Sequence, residues 1–141
     1  MGSGPQYNNP DTSVSGLGKS FIICNKDALY MYKTVYLCEG AINAETIGVR
    51  GIASGGKAIS RYQINEIIKS PVEKIVILFD PDAKDKSIDL ALKLVNFKKV
   101  KVVFLPEGED VNSLGKATTM KYIYSVHYQD YSELLRIKNS L

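Results

Sequence analysis

Val76-Ile77-Leu78-Phe79-Asp80-Pro81-Asp82 decides how the chain is read, because an apolar run stops there at two carboxylates one residue apart. A second run, Thr34-Val35-Tyr36-Leu37-Cys38, ends in Glu39-Gly40. Short apolar or β-branched runs bounded by turn formers are buried strands. In an open parallel sheet covered by helices, ligands bind beyond the carboxyl ends of the strands. Acids delivered to that edge can hold a hard divalent cation, which phosphoryl-transfer chemistry uses.

Outward from these runs, strands and helices alternate. Phe21–Cys24 is a short apolar run readable as a strand, and Asn25 is a candidate cap for a helix over 27–32. Ala41–Gly48 reads as a short helix and Gly51–Ser54 as a short strand. Tyr62, Ile64, Ile67 and Ile68 recur at helical spacing, with Ser60 as cap and Pro71 as stop. A strand over Lys74–Phe79 is followed by an amphipathic helix over Asp85–Phe97, then a strand over Val100–Leu105. Asp110 is placed to cap a helical turn, and the segment from Thr118 to Leu141 has helical period. This alternation predicts an α/β fold with a mostly parallel central sheet, helices on both faces and a helical C-terminal tail.

The 141 residues are the size of one ordinary domain, and 45% of them are hydrophobic, enough for a core. A net charge of +3 does not by itself argue for nucleic acid. The two cysteines, Cys24 and Cys38, lie in apolar runs and read as buried thiols of a reducing cytosol. No stretch is apolar for long enough to span a membrane, and no signal-peptide pattern is present. Residues 1–20 are rich in Gly, Ser, Asn and Pro. They read as a flexible leader or as the end of a missing preceding subdomain, and the chain as an excised piece of something larger.

Asp80 and Asp82 point the same way if extended geometry continues through both, and Pro81 stiffens the dipeptide. Two carboxylates so close raise each other's pKa until a cation relieves them. Asp-Pro-Asp is also an ordinary turn and helix start. Gly40 would let the backbone turn close to a ligand.

Leu37-Cys38-Glu39-Gly40-Ala41-Ile42-Asn43-Ala44 and Ile77-Leu78-Phe79-Asp80-Pro81-Asp82-Ala83 together resemble the two signature motifs of the topoisomerase–primase (Toprim) fold. The likeness is nearest to bacterial and phage DNA primases of the DnaG-like type. Gly51–Ser60 resembles the segment between those motifs, and Leu105–Leu114 resembles the later Leu-Pro…Asp-x-Asn-x-Leu element. Pro5–Thr12 is similar to the join between the basic subdomain and the Toprim part. The resemblance covers residue 5 to about 115.

The resemblance implies a compact Toprim domain over 21–117, with 1–20 as a leader or the end of a basic subdomain and 118–141 as a helical extension of the same domain. It implies a catalytic fragment of a primase or primase-helicase, making RNA primers in DNA replication, with little activity alone. Glu39, Asp80 and Asp82 would be catalytic and would hold Mg²⁺ or Mn²⁺, with Asp110 as a further ligand. Single-stranded DNA template and ribonucleoside triphosphates are the implied partners, together with a helicase or other primase domains. The implied place is the cytoplasm of a bacterium or phage-infected cell. Lys19, Arg50, Lys57, Arg61 and Lys84 are the candidates for meeting phosphates, Lys57 foremost because it follows Gly55-Gly56. Lys84 has the alternative of pairing with Asp82.

The chain departs from the family at Asn43, where an aspartate is usual, at Lys84-Asp85, where small residues are common, and at Gln6, where a lysine is common. Lys98-Lys99-Lys101 reads as a solvated face, His127 as a surface or packing residue, and the tail tyrosines as core or as a docking surface. Two other functions remain open on this reading: a small metal-dependent Toprim nuclease, or a non-enzymatic module binding DNA or protein.

Overall fold

The computed structural model describes residues 23–55 and 59–141. In chain order the elements are α1 (Ala28–Met31), β1 (Thr34–Cys38), α2 (Ala41–Ile47), β2 (Gly51–Ala53), α3 (Arg61–Lys69) and β3 (Lys74–Ile77). A 3₁₀ turn (Pro81–Ala83) leads into α4 (Lys84–Leu94), followed by β4 (Lys99–Val102), α5 (Val111–Leu114), α6 (Lys116–Tyr124) and α7 (Tyr131–Asn139). The strands form one parallel sheet in the order β2-β1-β3-β4.

Alternation along each strand builds two apolar layers. Val35, Leu37, Ile52, Ile75, Ile77, Val100 and Val102 face one side, where α1, α3, α4 and Leu134 of α7 cover them. Cys38, Ala53, Val76, Leu78, Val103 and Leu105 face the other, beneath α2, α5 and α6. A sheet buried on both faces needs apolar residues at nearly every position, which is why its strands read as continuous runs.

Local chemistry sets the helix starts. Ser60 and Gln63 form a reciprocal capping box on α3, and Asp110 with Ser113 does the same for α5. Asp130 and Glu133 repeat the device on α7. Gly51 lets α2 lie against β2, since a Cβ there would fall 2.1 Å from the Ala44 carbonyl oxygen.

Several sequence expectations are corrected. Asn25 does not cap α1. It takes a positive φ of 61°, and its amide donates to the carbonyls of Val49 (3.0 Å) and Gly51 (2.8 Å). The 21–24 run yields only an antiparallel bridge from Cys24 to Ala53, with Phe21 and Ile22 outside the described residues. Cys24 is exposed and only Cys38 is buried. Lys101 is not on a solvated face: its ammonium donates to the carbonyls of Ile123 (2.7 Å) and Val126 (2.8 Å), closing the end of α6. Tyr122, Tyr124 and Tyr131 are exposed, not core. Among the described residues no helix is long and apolar enough to cross a membrane.

Candidate functional site

β1 and β3 are adjacent in the middle of the sheet, so both acid-bearing ends emerge side by side. The Leu78 amide still donates to the Leu37 carbonyl (2.9 Å), carrying the pairing past the formal end of β3. Glu39 and Asp80 follow at once, and the Asp80 amide donates to Glu39 Oε1 at 3.3 Å. The Gly55 amide donates to the Glu39 carbonyl (3.0 Å), tying the turn after β2 to the same place.

Extended geometry does not run through Asp-Pro-Asp. Asp80 is extended (φ −59°, ψ 150°), but Pro81 opens the 3₁₀ turn and Asp82 lies within it, at the threshold of α4. Proline is suited to a first helical position, and a carboxylate near a helix start is favoured by the peptide dipoles. Asp80 and Asp82 nevertheless line one open cleft of about 320 Å³, along with Glu107, Gly108, Glu109, Asp110 and Ser113. Five carboxylates therefore face this cleft, and Glu39 stands behind them against the Asp80 backbone.

The electrostatics express that crowding. Burial raises the Asp80 carboxyl above its ordinary pKa, and the charges of Asp110 and Asp82 raise it further. Burial also raises Glu39; the Asp80 amide and Lys86 oppose the rise, while Asp80 and Asp82 add to it. The Cys38 thiol is pushed up to about 12, first by burial and then by Asp80, Asp110 and Glu39. That thiol is a core group and no nucleophile. Among the described residues no three acidic, His or Cys side chains already stand as a coordination set. Like charges oppose closer approach, and the oxygen-only donor chemistry of the cleft fits a hard cation such as Mg²⁺ or Mn²⁺.

The remaining candidates divide. Asp110 is at the cleft and also caps α5, its Oδ1 accepting from Ser113 N at 2.8 Å. Lys84 pairs neither with Asp82 nor with an empty rim: its ammonium lies 3.5 Å from Glu107 and 5.4 Å from the Phe104 ring centre. Arg61 is exposed and lies over Tyr62. Arg50 precedes β2 at the opposite end of the sheet and lies over Tyr32, away from the acids. Lys19 and Lys57 lie outside the described residues. Gly40 is extended and has open space where a Cβ would go, so no close approach explains it. Asn43 accepts from the Asn112 amide (3.0 Å), linking α2 to α5. Sequence reasoning missed Glu107, Glu109 and Lys86; the acidic Pro106-Glu107-Gly108-Glu109 turn between β4 and Asp110 was the available signal.

No family model matches the chain, and no curated protein matches it in sequence. Solved structures do. The zinc-binding and RNA polymerase domains of the Aquifex aeolicus primase align at a TM-score of 0.64 and 25% identity, covering 79% of this chain and 31% of that one. A DnaG primase catalytic domain bound to single-stranded DNA aligns at a TM-score of 0.66 and 20% identity, covering 87% and 44%. The Escherichia coli primase catalytic core gives 0.66 and 18%, with the same coverage. The chain has a DnaG-like primase domain fold. This DnaG-like chain spans less than half the length of the structures it matches.

Proposed function

We propose that the chain is the Toprim-type catalytic portion of a DNA primase or primase-helicase, a nucleotidyltransferase that joins ribonucleotides on a single-stranded DNA template. The observation that carries the reading is the contact between the ends of β1 and β3, where the Asp80 amide donates to the Glu39 carboxylate. It sets one acid behind a cleft lined by Asp80, Asp82 and Asp110. The primase-like fold supports the same reading.

Glu39, Asp80 and Asp82 would hold the cation, and Asp110 would be a further ligand. Bound Mg²⁺ or Mn²⁺ supplies charge neutralisation to phosphates and lowers the pKa of an attacking hydroxyl. The chain's own contribution is placement. The parallel pairing of β1 and β3 holds Glu39 beside the Asp80 backbone, and Pro81 turns Asp82 toward the cleft. The capping box holds Asp110 at the start of α5. A template, ribonucleoside triphosphates and further replication domains are the partners this function requires.

Calorimetric titration with Mn²⁺ tests the site. The parent chain should bind in the micromolar-to-millimolar range, and Asp80→Asn or Asp82→Asn should each weaken binding by about tenfold or more, the loss of one charged ligand. Equal binding by parent and both variants would remove the site. Primer synthesis should remain slight until a basic template-binding subdomain is added.

A further inference from the structure

A second cleft, of about 400 Å³, opens at the far end of the sheet from the acids. Tyr36, Ile47, Val49, Arg50, Lys116 and Met120 line it, with Tyr124 at its edge. Its position follows from the fold. Arg50 immediately precedes β2, and its carbonyl accepts from the Tyr36 amide at 2.9 Å. Lys116 starts α6, and its ammonium would stand 3.4 Å from a Cβ placed on Gly48. The cleft is thus bounded by the α2–β2 turn on one side and α6 on the other.

Its chemistry is two-fold. Among the described residues neither Arg50 nor Lys116 forms an ion pair. Arg50 instead lies 4.5 Å from the Tyr32 ring centre, which leaves its planar fork without a carboxylate. Val49 is 64% exposed and Tyr124 76% exposed, so apolar and aromatic surface stands open beside these cations. Unpaired cations beside exposed aromatic and aliphatic faces suit a ligand that carries both a phosphate and a flat ring. A cleft of this volume is in the range of small-ligand sites.

We propose that this cleft seats one nucleotide unit, its base against Val49, Met120 and Tyr124 and its phosphate at Arg50 and Lys116. The site is separate from the acidic cleft and needs no metal. Two sources present this chemistry, a free nucleoside phosphate and a single strand.

The test is fluorescence anisotropy of the full chain in EDTA, with a labelled eight-residue oligothymidylate and, separately, a fluorescent adenosine triphosphate. At least one probe should bind below about 1 mM, with affinity falling as salt rises. The double variant Arg50→Gln/Lys116→Gln should weaken that binding by about tenfold or more, and Tyr124→Ala by about fivefold to tenfold. Asp80→Asn should leave it within about twofold of the parent. Strand binding alone assigns the phosphodiester source, and nucleotide binding alone assigns the free one. The proposal fails if neither probe binds, or if the double variant, folded by circular dichroism, binds as tightly as the parent. It fails equally if Asp80→Asn abolishes binding that the double variant retains, which would put the ligand at the acids.

Discussion

Glu39 and Asp80 are partly buried carboxyls with other carboxylates near, and both keep their protons to higher pH than free side chains do. The consequence for stability has a definite sign. The unfolded chain releases these protons near the ordinary carboxylate pKa of about 4, while the folded chain releases them later. Stability therefore falls as pH rises from about 4 through the raised folded values, then levels off. Asp80→Asn removes one of the two charges. Without metal at pH 7 it should raise Tm by about 1–3 °C, and the gain should vanish below about pH 4. A lower Tm at pH 7 would mean that the carboxylate has a stabilising partner. Saturating Mn²⁺ should reverse the ranking if the proposed cation site is correct, because the parent alone then keeps all of its proposed ligands. Glu39, Asp80 and Asp82 could be singled out in the sequence because each follows an apolar run. The roles of Asn25, Asn43 and Lys101 could not. Each contacts backbone far along the chain, and no local pattern encodes such a partner.

Among the elements, the sheet was the most legible part. Runs such as Val35–Cys38 and Ile75–Phe79 are apolar at every position, the mark of strands covered on both faces. The apolar runs extend past the strands, because Phe79 and Leu105 stay buried beyond the last sheet hydrogen bonds, which the amides of Leu78 and Val103 donate. Apolar content reports burial, and burial outlasts hydrogen-bonded pairing here. The in-line carboxylate pair failed for a related reason: Pro81 starts a turn instead of prolonging the strand. The packing of α2 on β2 carries its own test. In Gly51→Ala the added methyl would meet the Ala44 carbonyl at 2.1 Å, and backbone cannot step aside as a flexible side chain can. The cost should be about 3 kcal/mol, or a Tm drop of roughly 10 °C. A shift under 2 °C would show that α2 slides freely over β2.

At the scale of the molecule, the segment after Thr118 was read as helical, but where it packs was not legible. Its apolar period alone does not name a partner surface. Leu134 is fully buried in the layer with α4, and Lys138 reaches Asp89 at 2.9 Å. Gln129 pairs with Val100 on the edge strand β4, and Lys101 holds the end of α6. The tail tyrosines fooled the pattern because aromatic residues at helical spacing look alike whether they face a core or water. Leu134→Ala should cost about 2–4 kcal/mol, read as a lower midpoint in urea with an unchanged slope. A change under about 0.5 kcal/mol would show that α7 is dispensable to the fold.

The pairing of Thr34 with Lys74 through Leu37 with Ile77 has one more implication. Sliding β1 by one residue against β3 would shift Glu39 along the strand by about 3.3 Å and break its contact with the Asp80 amide. The same slip would rotate Val35 and Leu37 out of one apolar layer and Tyr36 into it. Misalignment of the two acids and ruin of the interior are thus one event. Any sequence drift that keeps the interior packed also keeps the two acids in step.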